Sequence, residues 1–210
     1  MKPTKIYTGR STIRMYLGDC MEFMKQAERY DLAIVDPPYG IGDKFKGGKT
    51  GKMNFNEIVN KDWDKAPNHE YFDLLQNVSY NQIIWGGNYF DLPPTRCFIV
   101  WDKRISEDFS LAMAELAWTN FDKLAKIYRL SVPKNGKQHP TQKPVQLYKW
   151  LLTNYAKEGD TILDTHGGSM SIAIACWDLG FDLDICELDT DYFNDALKRF
   201  EQHISQTQLF

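Results

Sequence analysis

An apolar run, Asp31-Leu32-Ala33-Ile34-Val35, breaks off at Asp36-Pro37-Pro38-Tyr39-Gly40. Short runs of this kind read as strands, and proline stops one because it fixes φ and has no N–H for the ladder. The stiffened corner delivers a carboxylate and an aromatic ring to the carboxyl end of a strand, where open α/β sheets bind ligands. Six further short apolar runs read as strands: Thr12–Leu17, Gln82–Trp85, Cys97–Trp101, Ala125–Leu130, Thr161–Asp164 and Phe181–Glu187. Between them, helical periodicity marks Cys20–Glu28, Tyr71–Val78, Val145–Tyr155, Ser171–Leu179 and Tyr192–His203. The alternation implies an α/β fold, Rossmann-like and doubly wound, with a seven-stranded, mainly parallel sheet.

A chain of 210 residues, 43% hydrophobic, has room for one core and little for two. Residues 1–210 are therefore expected to form a single domain. No stretch approaches the roughly 18 uninterrupted apolar residues of a membrane span, and Met1-Lys2-Pro3-Thr4-Lys5 leads into no apolar signal region. Cys20, Cys97, Cys176 and Cys186 show no metal-ligand spacing. The expectation is a cytoplasmic protein with free thiols and no metal.

The net charge of −3 argues against a protein that coats nucleic acid indiscriminately, yet the charge is unevenly spread. From Lys123 to Lys149 there is no carboxylate, and a second basic patch, Lys44, Lys46, Lys49 and Lys52, is interleaved with glycines. The basic patches overlap two stretches without regular periodicity, about 40–68 and 131–140, which read as functional or disordered loops.

Several motifs accompany the Asp36–Gly40 corner: Leu17-Gly18-Asp19-Cys20, Trp85-Gly86-Gly87-Asn88, Phe98 to Lys103, Glu115 to Thr119, and His139-Pro140-Thr141-Gln142-Lys143-Pro144. The segment from Thr161-Ile162-Leu163-Asp164 to Glu187-Leu188-Asp189 completes the set. Over nearly its whole length the chain resembles the DNA amino-methyltransferases of the N6-adenine/N4-cytosine family, in particular those with the permuted (beta-type) motif order. The pairing of Asp-Pro-Pro-Tyr with His-Pro-Thr-Gln-Lys-Pro in this order is the specific part of the signal. The resemblance implies a site-specific enzyme that carries a methyl group from S-adenosylmethionine to a base amine in DNA.

The residues suit that chemistry. An exocyclic aromatic amine is a poor nucleophile because its lone pair is delocalised into the ring. If Asp36 and the Pro37 carbonyl each accept one N–H, the nitrogen is drawn toward tetrahedral geometry and its lone pair can face a sulfonium methyl. Tyr39 can stack on the base once it has left the duplex. By resemblance, Asp36 in front of Pro37 favours N6 of adenine, with N4 of cytosine the alternative.

The resemblance also assigns the cofactor side. Glu187 is similar to the acid that binds the ribose hydroxyls, and Asp19 to the acid beside the adenine. Lys143, with Thr141, looks like the element over the methionine end. Asp164, Gly168 and Ser169 fall in the turn after the central strand. That turn departs from the family's usual Asp-Pro-Phe-x-Gly-Ser-Gly-Thr: this chain reads Asp164-Thr165-His166-Gly167-Gly168-Ser169-Met170-Ser171. A methionine in place of a glycine can crowd the pocket, which leaves open a catalytically silent, DNA-binding regulatory subunit. Methylation of a protein or small-molecule amine is a further alternative. DNA is the expected partner, held through Lys44, Lys46, Lys49, Lys52, Lys134 and Lys137. With little room for a recognition domain, specificity is short, relaxed or supplied by a second subunit.

Overall fold

Nine strands form one sheet among the residues described by the computed structural model, which are 1–41, 65–106, 112–131 and 142–207. The strands are β1 (Lys5–Thr8), β2 (Thr12–Leu17), β3 (Tyr30–Val35), β4 (Ser79–Trp85), β5 (Phe98–Asp102), β6 (Ala114–Thr119), β7 (Lys126–Arg129), β8 (Thr161–Asp164) and β9 (Asp182–Glu187). The helices are α1 (Cys20–Met24), α2 (His69–Asn77), α3 (Val145–Tyr155), α4 (Ser171–Leu179) and α5 (Thr190–Thr207), with a 3-10 turn at Gly87–Tyr89. In space the strands run β1-β2-β9-β8-β3-β4-β6-β5-β7. The block β2-β9-β8-β3-β4 is wholly parallel, and β6 turns back against β4 and β5.

The α/β, mainly parallel architecture is as expected, but the sheet has nine strands rather than seven. The two additional strands are β1 and β6. β1 is a four-residue edge strand, mostly exposed, too short to show a period. β6 reads Ala-Glu-Leu-Ala-Trp-Thr, rich in helix formers. It is a strand because its neighbours make it one: Ala117 lies opposite both Trp85 of β4 and Ile99 of β5. This is tertiary context overriding a weak local preference.

Burial alternates with the pleat. On β3, Leu32 and Ile34 enter the core beneath α3, α4 and α5, while Ala33 and Val35 enter the core beneath α1 and α2. Helices thus cover both faces. Asn68 caps α2 by accepting from the Tyr71 N–H at 3.3 Å, and Gly180, at φ 81°, closes α4. The first strand meets the last helix, where the Tyr7 hydroxyl donates to Glu201 at 2.6 Å. Among the described residues no helix is long and apolar enough to cross a membrane.

The chain leaves β8 toward β9 on one side and β3 toward β4 on the other, so the winding direction reverses between β8 and β3. A crevice opens at such a reversal, outside the carboxyl ends of the strands.

Candidate active site

Strand direction alone gathers the chemistry. The parallel strands end at one edge of the sheet in Leu17-Gly18-Asp19, Glu187, Asp164, Asp36 and Trp85-Gly86. Because β6 is reversed, its beginning, with Glu115, lies at that same edge, as does Lys103 after β5. Asp164 and Asp36 end neighbouring strands, which are about 4.8 Å apart in any sheet. The Tyr39 and Gly168 turns therefore share one edge, at the reversal.

The Asp36 carboxylate is held from two sides. The Tyr39 hydroxyl donates to its Oδ1 at 2.6 Å, and the Lys143 ammonium donates to its Oδ2. The Tyr39 ring rests on Gly86, whose φ is 69° and where a Cβ would lie 2.2 Å from Tyr39 Cε1. Only glycine permits both that conformation and that approach. On the ring's other neighbours, Tyr89 stacks at 5.1 Å and 19°, and Phe90 meets it edge-on at 6.1 Å. Tyr89 is 49% exposed. Burial and the adjacent Asp36 charge push the Tyr39 phenol well above its ordinary range, so it stays a donor.

Lys143 sits just ahead of Pro144 and α3 with its side chain only 2% exposed. Its ammonium also lies 3.1 Å from Glu115 Oε2 and 5.1 Å from the centre of the Trp85 ring. The Glu115 contact is an ion pair between buried groups. Glu115 Oε1 is 2.6 Å from Lys103 Nζ. Burial alone would raise the Glu115 carboxyl, but the two ammonium groups outweigh it and bring it down to about 2. Burial likewise opposes the charge on Lys143, and Asp36 and Glu115 overcome it and raise its pKa.

On the other side of the reversal, the Gly168 N–H donates to Glu187 Oε2 at 2.7 Å and the Asp189 N–H to Oε1 at 2.8 Å. Burial nonetheless holds the Glu187 carboxyl above its ordinary value. Asp164 is buried and accepts from the His166 N–H at 3.0 Å. Burial pushes its carboxyl up to about 8, against the pull of that N–H and with help from the charges of Asp36 and Glu187. His166 packs edge-on to Tyr71 at 5.4 Å, and burial lowers its imidazole to about 4, so it is neutral. Asp19 is the N-cap of α1, accepting from the Met21 N–H at 2.8 Å. Ser169 lends its carbonyl to Arg199 of α5 at 2.6 Å, and Arg199 also reaches Ser171 Oγ at 3.0 Å.

Met170 adopts the left-handed conformation that glycine usually supplies, at φ 52°. Its side chain is completely buried in the core beneath α3, α4 and α5, rather than standing in the crevice. The crowding expected of it does not arise; the cost is backbone strain of about 1 kcal/mol. Replacing Met170 with glycine relieves that strain but empties a core position worth about 3 kcal/mol. The variant is expected to unfold with a midpoint lower by about 5 °C, without gain in ligand affinity. Scanning calorimetry with and without ligand checks both parts.

Thus Asp36, Tyr39, Asp19, Lys143, Asp164, Gly168, Ser169 and Glu187 share one edge of the sheet, with Lys143 drawn to Asp36. Thr141 and the lysines expected to touch DNA, Lys44, Lys46, Lys49, Lys52, Lys134 and Lys137, lie outside the described residues. Trp85 and Trp101 are buried in the core. In the sequence Glu115 and Lys103 stand out only as members of longer motifs, and Tyr89 and Arg199 belong to no motif. The one local signal for Tyr89 was the aromatic pair Tyr89-Phe90 directly behind Gly86-Gly87-Asn88.

Residues 84–198 match the N6 and N4 methyltransferase family described as DNA methylase. The chain is 35% identical to the type II methyltransferase M.HpaI of Haemophilus parainfluenzae over a 240-residue alignment covering 91% of this chain and 75% of that protein. It is 28% identical to the type II methyltransferase M2.MboI of Moraxella bovis, covering 77% of each. Among solved structures, the PvuII DNA methyltransferase (cytosine-N4-specific) has a TM-score of 0.63 at 14% identity, covering 97% of this chain and 93% of that one. A complex of M1.HpyAVI with SAM has a TM-score of 0.57 at 21% identity, covering 89% and 98%. At such identities these two structures speak for a shared fold.

Proposed function

The chain belongs to the N6/N4 family of DNA methylases, and on that premise we propose that it methylates the exocyclic N6 amine of adenine in DNA, using S-adenosylmethionine. The observation that carries this reading is the meeting of the Asp36 corner and the Gly168–Glu187 turn on adjacent sides of the winding reversal.

The residues around Gly168 fit the cofactor chemically. A Cβ at Gly168 would meet nothing nearer than 4.0 Å, so the turn's face is open. Of the two buried carboxyl groups beside it, Asp164 accepts one backbone N–H and Glu187 one on each oxygen, which leaves acceptor capacity on both, and S-adenosylmethionine offers an ammonium and two ribose hydroxyls. When bound there, it supplies a methyl carbon on a sulfonium whose bonding pair stays with sulfur as the carbon departs. Glu187 accepts from the ribose hydroxyls, Asp164 from the ammonium, and Asp19 keeps a carboxylate near the adenine. Gly168 and Ser169 shape the backbone against the ligand, and Thr141 joins them from the motif ahead of Lys143.

On the substrate side, Asp36 and the Pro37 carbonyl each accept one N–H of the amine. The nitrogen lone pair is thereby turned out of conjugation, and the proton is lost toward Asp36 as the N–C bond forms. Tyr39 provides the stacking face for an extruded base, and the Tyr89 ring now lying against it must give way or close over the base. Lys44, Lys46, Lys49, Lys52, Lys134 and Lys137 track phosphates while the base is out. The preference for adenine rests on Asp36 in front of Pro37. A second reading, N4 of cytosine, draws on the fold shared with the PvuII enzyme. Nucleoside mass spectrometry of DNA from cells expressing the chain decides: N6-methyladenine is expected, N4-methylcytosine replaces the first reading with the second, and unmodified DNA rejects both.

Cofactor binding is expected to depend on pH through Asp164. Its pKa of about 8 leaves it largely protonated near pH 6 in the free protein. An incoming ammonium favours the carboxylate, so binding expels a proton. Affinity therefore rises as pH climbs from about 6 toward about 8, above which the ligand's own α-ammonium begins to lose its proton and the gain stops. Calorimetric titration in two buffers of different ionisation enthalpy counts the proton. Asp164→Asn should abolish its release, and equal heats in both buffers for the unsubstituted protein would contradict this assignment.

A further inference from the structure

Asp36 stands at the end of a chain of alternating charges drawn from four segments. It pairs with Lys143, Lys143 with Glu115 at 3.1 Å, and Glu115 with Lys103 at 2.6 Å. Taking charges largely out of water is costly before pairing, and apolar side chains of similar volume often fill such a space as favourably. The arrangement is therefore explained less by stability than by what it does to Asp36.

We infer that Glu115, backed by Lys103, is a positioning residue for methyl transfer, holding the Lys143 ammonium in shared custody so that Lys143 fixes the Asp36 carboxylate without exhausting it as an acceptor. The inference rests on the methylation reading above. An ionised carboxylate has about four lone-pair sites. Tyr39 takes one on Oδ1 and Lys143 one on Oδ2, which fixes the plane of the group and leaves acceptor capacity for an amine N–H. Because Lys143 is buried, its charge must be answered by protein groups alone. With Glu115 present the ammonium is divided between two carboxylates. Without Glu115 it falls wholly to Asp36, whose charge is then spent on a close ion pair, and the amine meets a weaker and misdirected acceptor. Lys103 does for Glu115 what Glu115 does for Lys143. Engaged in this way, Lys143 acts on the substrate side rather than on the methionine carboxylate that the family resemblance implied for it.

The two roles for Lys143 predict opposite splits between turnover and cofactor affinity. Glu115→Gln keeps the shape of the side chain and removes its charge. It should lower kcat by about tenfold or more at saturating DNA and cofactor, with the S-adenosylmethionine Kd measured by calorimetry within about twofold of the parent. Glu115→Asp, which restores the charge, should recover part of the loss, as a purely structural role would not require. Lys103→Met removes the outer cation and should move kcat in the same direction by a smaller factor; it serves as the test if Glu115→Gln does not fold. A kcat within about threefold of the parent overturns the inference, as does a Kd weakened tenfold with turnover unchanged. An unsubstituted protein that transfers no methyl group to DNA overturns the functional reading and this inference with it, whereas an active parent with an indifferent Glu115→Gln overturns this inference alone.

Discussion

Asp36→Ala is expected to lose methyl transfer to DNA by about a thousandfold in kcat while keeping its affinity for S-adenosylmethionine. A positioned acceptor at the reacting centre is worth about 10²–10³ in rate by itself. Here the carboxylate has two further tasks: it anchors the Tyr39 hydroxyl at 2.6 Å and neutralises Lys143. Alanine therefore frees the stacking ring and strands a buried ammonium on Glu115 in one step. Breaking a buried pair in this way costs about 3 kcal/mol of stability, so the variant should unfold at a lower temperature and be assayed well below it. Labelled-methyl transfer to DNA gives the rate, and calorimetry the Kd. A variant within tenfold of the parent rate would remove Asp36 from the reaction.

What the sequence disclosed about this site was local, and what it withheld was long-range. The Asp36 corner was readable because proline stops a strand by itself, and α3 and α4 have the bounds their periodicity predicted, Val145–Tyr155 and Ser171–Leu179. Glu115 was hidden because its strand is imposed by β4 and β5. In isolation Ala-Glu-Leu-Ala carries no strand signal, and nothing in the order of residues says that Glu115 faces Lys143. The motif around Lys143 is local, but the carboxylates that Lys143 meets, Asp36 and Glu115, are set by the sheet edge. Met170 misled for a related reason: substitution of a glycine suggests an obstruction, but which way the side chain points depends on a core that only the fold supplies. A pattern reports which residues have special backbones, while the sheet decides what they face.

Glu187→Ala should produce the opposite profile, weakening S-adenosylmethionine binding by about 10²–10³ and leaving little transfer at ordinary cofactor concentrations. Two charge-assisted hydrogen bonds to ribose hydroxyls are worth about 3–4 kcal/mol together, and that difference is two to three decades in Kd. The same carboxylate also accepts the Gly168 N–H at 2.7 Å, so its removal slackens the turn that the ligand must lie against. Glu187→Gln keeps one acceptor and presents an N–H in place of the other, and should fall between parent and alanine. Because burial holds the Glu187 carboxyl above its ordinary value, protonation removes the acceptor at a higher pH than for an exposed acid. Affinity therefore falls as the medium is acidified through that point, in the same sense as the Asp164 effect. Calorimetry across pH on parent and both variants separates them: in Glu187→Gln the acid-side loss disappears while the Asp164 proton is still released. A Kd for Glu187→Ala within about fivefold of the parent would place the ribose elsewhere, since less than about 1 kcal/mol cannot represent two lost charged contacts. Taken with Asp36→Ala, the pair divides the edge of the sheet at the winding reversal, with turnover lost on the β3 side and affinity lost on the β9 side.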